Sequence, residues 1–125
     1  MRLKAFSRFN KFGSKKTIVD GITFHSRAEA RRYKELKLLQ KAGEIKNLCL
    51  QEEFKIYVNT VFICTYISDF SYLEKSEYII EDVKGIIAAH SAIKLKLFCA
   101  LHPQFTLRIT KNGKSIDYKG RCTFR

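Results

Sequence analysis

Three apolar, β-branched and aromatic runs between two helical patterns limit the folds open to this chain more than any other feature. The runs cover residues 54–58, 61–72 and 78–84, and turn-forming residues separate them at 59–60 and 74–77. Such runs are typical of strands, and short turns join antiparallel neighbours. The sequence therefore predicts an antiparallel meander flanked by helices, in an α/β (α+β) domain with a central mixed sheet.

The segment before the meander predicts a hairpin and a helix. Asp20-Gly21 suits the tight turn of a hairpin over residues 17–24. Ser26 followed by Glu29 matches a capping box, and Gly43 is a typical helix end, so a helix is expected over residues 27–42. Its inward stripe starts at Glu29. Residues 45–50 are read as a connector.

A second helix is expected after the meander, over residues 89–101, and Pro103 ends it. Its predicted buried stripe consists of Ile93, Leu97, Ala100 and Leu101. Residues 105–109 are predicted to add a strand at the sheet edge. The whole chain is read as one domain of 125 residues, with a basic N-terminal arm over 1–16 and a basic C-terminal tail over 111–125.

Charge is distributed unevenly along the chain, whose net charge is +12. Residues 1–41 carry 12 basic and 3 acidic side chains, residues 42–85 carry 4 and 8, and residues 86–125 carry 8 and 1. Carboxylates oppose binding to a polyanion, so a protein that only coats nucleic acid gains nothing from an acidic centre. Binding of a divalent cation beside a phosphate does require one.

Two acids of this centre are predicted to face each other. If Lys75-Ser76 is a two-residue turn, Asp69 lies directly opposite Asp82, and Lys84 points to the same side as Asp82. A register slipped by one residue would pair Asp69 with Glu81 instead. The apolar pattern does not choose between the two registers. The chemistry favours the first, because two adjacent carboxylates, a lysine and an inward Glu29 suit cation binding and hydrolysis.

The order Glu29, Asp69, Asp82-Val83-Lys84 resembles the PD-(D/E)XK nuclease superfamily, which has a restriction-endonuclease-like core. Residues 19–33, 42–45 and 81–85 more closely resemble a family of small phage and prophage proteins of that superfamily, described as Holliday junction resolvase-like. The similarity covers about residues 13–110. Ser68 stands where the motif has proline.

The resemblance implies a magnesium-dependent endodeoxyribonuclease. Asp69, Asp82 and the backbone carbonyl of Val83 would hold Mg²⁺, for which Mn²⁺ can substitute, and no small-molecule cofactor is expected. Glu29 would bind the ion through water or hold a second one, unless it serves only as a helix cap. Lys84 would orient the attacking water and help deprotonate it. The products would carry a 5′-phosphate and a 3′-hydroxyl.

Basic residues on either side of the acidic centre are candidates for DNA binding. They are Lys11, Lys15, Lys16, Arg27, Arg31, Lys94 and Lys96. Gln51 is expected either beside the site or as a cap of the connector, and Glu81 is the alternative ligand to Asp82, although the spacing to Lys84 favours Asp82.

The expected activity is structure-selective cleavage of branched DNA in phage replication, recombination or packaging. Symmetric cutting of a four-way junction needs two active sites, so a homodimer is expected. The alternatives are a nickase or single-strand-directed nuclease, and a non-catalytic DNA-binding accessory protein. No apolar run is long enough to span a membrane, and four cysteines without zinc-site spacing suit reduced thiols. The expected compartment is the cytoplasm, that of the host cell if a phage encodes the protein.

Overall fold

Strands dominate the computed structural model, which describes residues 16–85 and 87–123. The fold is mixed α+β, with two helices and a mixed central sheet. Its elements in chain order are β1 (Thr17–Val19), β2 (Ile22–Phe24), α1 (Arg27–Lys41), β3 (Ile45–Leu50), β4 (Glu53–Val58), β5 (Val61–Ile67), β6 (Phe70–Glu74), β7 (Glu77–Val83), α2 (Ala89–Leu101), β8 (Thr106–Lys111) and β9 (Lys114–Tyr118). Within the described ranges, no helix is long and apolar enough to cross a membrane.

The central sheet has five strands in the order β3-β6-β7-β8-β9. Only the β7–β8 pair is parallel, because α2 carries the chain back across the sheet between these two strands. Strands β6 and β7 pair with Ser71 opposite Ile80 and Glu74 opposite Glu77. This confirms the predicted register and excludes the slipped one.

The first hairpin and α1 form as the sequence predicts. Strands β1 and β2 pair around Asp20 and Gly21, whose positive φ angles of 53° and 74° are those of a tight hairpin turn. At the start of α1, Ser26 Oγ accepts a hydrogen bond from the Glu29 N–H at 3.1 Å. The predicted helix start is therefore confirmed.

Each face of the central sheet has its own apolar core. On one face, α1 packs through Tyr33 and Leu36 against a cluster that includes Phe70, Tyr72 and Ile79. On the other face, α2 and the β4–β5 hairpin cover a cluster that includes Ile80. Neighbouring residues of β7 serve opposite cores because side chains alternate along a strand.

The meander differs from the prediction because residues 61–72 are not one strand. Strand β5 ends at Ile67 and pairs with β4 in a separate two-stranded sheet, whereas β6 starts at Phe70 in the central sheet. Ser68 and Asp69 make the crossing, where the Ser68 N–H donates to the Glu52 carbonyl at 2.9 Å. Apolar and aromatic residues resume directly after these two polar residues, and no Gly or Pro marks the crossing, so the sequence reads as one strand.

Three further expectations are corrected. Residues 45–50 form strand β3 rather than a connector, paired with β6 across a bulge. The strand after α2 is β8, which lies inside the sheet rather than at its edge. The edge is β9, formed by residues expected to belong to a basic tail; Asn112 and Gly113 have the positive φ angles of a hairpin turn and return the chain along β8.

The predicted buried stripe of α2 is also wrong. Leu95, Phe98 and Cys99 are the buried residues of the helix, whereas Ile93 is 60% exposed. Apolar residues occur on several sides of this helix, so periodicity does not select the buried side. Contact with the β4–β5 hairpin selects it.

Candidate metal centre

Asp69 directly precedes β6, and Asp82 lies near the end of β7, so the two residues are neighbours at one end of this strand pair. The Asp69 N–H donates to the Glu81 carbonyl at 3.1 Å, which extends the β6–β7 ladder to the position opposite Asp82. Asp69 Oδ2 accepts from the Val83 N–H at 2.9 Å. Both aspartates are buried, with exposed fractions of 6% and 3%. The structure thus brings together the two acids that the sequence pairs.

The charge of Asp82 is unfavourable in this environment. Burial, and then the negative charge of Asp69, raise the pKa of Asp82 well above its usual range, and a hydrogen bond between the two carboxyl groups acts in the same direction. Lys84 and Tyr66 oppose the shift: Lys84 Nζ lies 3.8 Å from Asp82 Oδ1, and the Tyr66 hydroxyl donates to Asp82 Oδ2 at 2.5 Å. Burial and the neighbouring carboxylate therefore both disfavour the ionised form of Asp82.

This pair fits a divalent cation. A cation between the two carboxylates would neutralise both, and oxygen ligands suit Mg²⁺. The described residues contain no group of three or more His, Cys, Asp and Glu side chains arranged to hold a metal. The remaining ligands would be water, which Mg²⁺ usually retains, or protein oxygens of other types.

Gln51 lies beside Asp69. Its backbone N–H donates to the Asp69 carbonyl at 3.2 Å, and its side-chain Oε1 is buried without a hydrogen-bond partner in the part of the chain that the structure describes. A buried acceptor without a partner is costly, so this oxygen is available to a water or cation. The structure places the Gln51 backbone beside Asp69, and a role of its side chain at the site stays a prediction.

Glu81 lies on the opposite face of β7, and its oxygens already have donors. Arg32 forms a bidentate pair with it, with Nε 2.7 Å from Oε2 and a second N–H donating to Oε1 at 3.1 Å. The hydroxyls of Tyr72 and Thr110 also donate to it, at 2.5 Å and 2.8 Å. The donors around its oxygens hold Glu81 within the α1 core, on the face away from Asp69, so Asp82 is the acid that lies beside Asp69.

Glu29 is buried in the first turn of α1. Its Oε1 accepts from the N–H of His25, the residue before the N-cap Ser26, at 3.2 Å. Of the predicted capping box, the Ser26 bond to the Glu29 N–H is formed. Glu29 does not join Asp69 and Asp82 in a three-carboxylate group within the described ranges. Its role as a ligand stays a prediction.

Two cavities meet at Lys84. One, of about 190 Å³, is lined by Asp82, Lys84 and Tyr66 and, from α2, by Ser91 and Lys94. The Lys94 Nζ donates to the Thr65 carbonyl at 3.2 Å, which fixes it at this rim. The second, of about 110 Å³, lies toward α1 and includes Arg31, Lys84 and the β8–β9 turn.

The other basic candidates lie elsewhere. Lys16 and Arg27 are exposed and line neither cavity. Lys96 is exposed on a different side of α2, where its charge acts on Cys122. Lys11 and Lys15 lie outside the described residues.

Sequence reasoning missed Tyr66 and Ser91. Tyr66 reaches Asp82 from β5, which belongs to another sheet, and Ser91 reaches the cavity from α2. Alternation along a single strand over residues 61–72 would place Tyr66 on the side away from Asp69. A break at Ser68 was the missing information, and no Gly or Pro marks it.

Comparison with known proteins identifies a family for this chain. No curated protein and no solved structure matches the chain. A family model described as a protein of unknown function (DUF1064) matches residues 9–120. Because the match spans most of the 125 residues, the chain belongs to the DUF1064 family.

Proposed function

We propose that this protein is a Mg²⁺-dependent endodeoxyribonuclease with the chemistry of the PD-(D/E)XK superfamily. The observation that carries the proposal is the buried pair of Asp69 and Asp82 with Lys84 beside it, at the rim of an open cavity. A structural role explains this pair poorly, because two buried carboxylates that share a site repel each other. A cation between them removes that cost.

Each residue has a distinct task in the proposed reaction. Asp69 and Asp82 would hold the ion, with the Val83 carbonyl as a further ligand and Gln51 or Glu29 acting through water. Bound Mg²⁺ or Mn²⁺ supplies Lewis-acid activation of water and of the phosphate. Tyr66 fixes the orientation of Asp82 through its hydroxyl. Lys84 would orient the attacking water and promote its loss of a proton.

The cationic side chains at the two cavities fit a phosphate backbone. Lys94 lines the cavity that holds Asp82, Arg31 lines the other, and Lys84 lines both. Contacts of this kind position a nucleic acid without reading its sequence. They support a substrate recognised by shape, and we propose branched DNA such as a four-way junction.

Cleavage assays with matched variants test the proposal. The purified protein is expected to cut DNA with Mg²⁺ or Mn²⁺ and not with EDTA, and Asp69→Asn and Asp82→Asn are expected to reduce the rate by at least about 100-fold while DNA binding is retained. Asp20→Asn is the control, since this exposed turn residue lies away from the site and asparagine suits its positive φ.

The choice of substrates separates the remaining possibilities. Four-way junction, fork, flap, duplex and single-stranded DNA are compared in the same assay. Preferential cutting of the junction supports junction resolution, whereas equal cutting of linear duplex and junction contradicts it. Cleavage that survives both aspartate substitutions contradicts the site. Binding of DNA with no cutting of any substrate points to a non-catalytic accessory protein.

A further inference from the structure

The β4–β5 hairpin exposes an unusual amount of apolar surface. Ten large hydrophobic residues are exposed in the part of the chain that the structure describes, and five of them lie between residues 57 and 63. They are Tyr57, Val58, Val61, Phe62 and Ile63, exposed by 49%, 37%, 59%, 51% and 49%. Apolar residues clustered at one place on a surface are typical of an interaction site.

The outer edge of β5 is open. Strand β5 pairs with β4 along one edge, and no described strand pairs along the other. Lys94 bonds the Thr65 carbonyl in the C-terminal half of β5, so residues 61–64 form the uncovered part. Unpaired backbone groups of an edge strand form a template for another strand.

This edge lacks the charges that usually protect exposed strands. Strand β5, with the sequence VFICTYI, contains no charged residue. The edge strand β9 also exposes an isoleucine, Ile116, but Lys114 and Asp117 lie on the same strand. Charged side chains prevent unwanted pairing of edge strands. The β4–β5 register shifts at Ile63, so the β5 edge carries a bulge but no charge. Its uncharged, apolar surface favours coverage of this edge in solution.

We propose that β5 pairs antiparallel with β5 of a second copy of this chain, about a two-fold axis that passes between residues 61 and 64. Such pairing is self-complementary, since each copy offers the same backbone groups and the same apolar side chains. The net charge of +12 opposes association of two copies, so a contact that brings no further like charges together, such as β5 on β5, is the least unfavourable one. A DNA backbone would instead seek cations, which β5 does not carry.

The proposed dimer would also contain two candidate metal centres, one in each copy of the chain. Thr65, Tyr66 and Ile67 of β5 line the cavity that contains Asp82. At about 3.3 Å per residue, the two Tyr66 residues would lie roughly 20–25 Å apart along the joined strands. This consequence rests on the proposed function, because paired sites serve the cutting of two DNA strands; the pairing of β5 itself does not depend on cleavage.

Light scattering coupled to size-exclusion chromatography tests the dimer without a cleavage assay. The full chain is expected at twice its mass of 14.6 kDa at micromolar concentration. Ile63→Lys is expected to elute as a monomer, because the substitution places two like charges near the axis. Ile116→Lys, the matched substitution on the other exposed edge strand, is expected to remain dimeric.

Hydrogen exchange of the unmodified chain provides a second measurement that requires no substitution. Backbone amides of residues 61–64 are expected to exchange slowly in the dimer and faster on dilution. A wild-type chain that is monomeric at all concentrations overturns the proposal. Slow exchange of these amides in such a monomer would mean that residues 1–15 of the same chain cover them. A dimer that persists in folded Ile63→Lys also overturns the proposal, because the interface then lies elsewhere.

Discussion

Asp82 is 3% exposed and lies beside a second buried carboxyl group, that of Asp69. Burial and the charge of Asp69 raise its pKa well above the usual value, so folding favours the protonated form. Tyr66 and Lys84 reduce this effect without removing it. Ionisation of Asp82 therefore lowers the free energy of unfolding, and a cation bound between the two carboxylates would raise it again.

The pH dependence of stability follows from the raised pKa of Asp82. The contribution of the Asp82 carboxyl to the free energy of unfolding is fully present below its pKa in the unfolded chain, about 3.9. It is lost as pH rises toward and through its higher pKa in the folded protein. In EDTA, thermal unfolding should therefore show the wild type losing stability relative to Asp82→Asn as pH rises above the pKa of an unfolded aspartate. The loss is about 1.4 kcal/mol for each pH unit over which Asp82 is ionised in the unfolded chain and still protonated in the folded one.

Asparagine can still accept the Tyr66 hydrogen bond, so Asp82→Asn is expected to melt several degrees above the wild type at the higher pH. Asp20→Asn is the control, and its pH dependence should match the wild type. A lower melting temperature for Asp82→Asn than for the wild type at about pH 8 in EDTA would show that the ionised pair is stabilising.

The sequence pattern predicted that Asp69 and Asp82 lie opposite each other, but it did not predict the side chains that contact them. Asp69 and Asp82 could be paired because a two-residue turn fixes the register of β6 and β7, and the structure confirms that register. Tyr66 could not be predicted, since it comes from a different sheet. A local pattern determines which residues face each other across one hairpin, but contacts between sheets depend on the packing of the whole fold.

At the scale of elements, a buried ion pair attaches α1 to the sheet. Arg32 reaches across the α1 core to Glu81, whose side chain is fully buried, and also contacts Glu35 on its own helix. Burial lowers the pKa of Arg32, but the bonds and charge of Glu81 outweigh this and raise it above the ordinary value. The guanidinium thus stays charged, and it helps to orient α1 above β7.

Removal of this arginine is expected to destabilise the fold strongly. Arg32→Met leaves the Glu81 carboxylate buried with only hydroxyl donors and the more distant Arg108, which bonds Tyr72, at an expected cost of about 3–5 kcal/mol. Urea denaturation measures the change. Arg31→Met is the matched control, because Arg31 is exposed, and its effect should stay within about 0.5 kcal/mol. Equal losses in both variants would show that the ion pair contributes little.

Elements with strong local signals were predictable, and those defined by long-range contacts were not. The capping box gives the start of α1, and Asp20-Gly21 gives the first hairpin. Strand β3 was missed because it is irregular. A bulge interrupts its pairing with β6, and Asn47 and Gln51 have positive φ angles, so its residues do not follow the regular alternation of a strand. The buried side of α2 depends on the β4–β5 hairpin, which its own sequence does not reveal.

At the scale of the molecule, the basic and acidic thirds of the sequence converge in space. The acidic centre supplies Asp69 and Asp82 from the middle of the sheet, and the basic flanks supply Arg31 from α1 and Lys94 from α2 to the adjoining cavities. The uneven charge of the sequence suggested that acidic and basic side chains from different thirds serve one site, and the cavities bring some of them together. It did not predict which cations reach the site, since Lys96 lies two residues from Lys94 and lines neither cavity.

Metal binding tests the central claim most directly, because it requires no knowledge of the DNA substrate. In isothermal titration of the full chain with Mn²⁺ near neutral pH, the wild type is expected to bind the ion and to release protons on binding. Asp69→Asn and Asp82→Asn are expected to weaken binding at least about tenfold, and Asp20→Asn to leave it unchanged. Mn²⁺ binding of equal affinity in Asp82→Asn and the wild type, or no binding by the wild type at millimolar Mn²⁺, would contradict the metal centre.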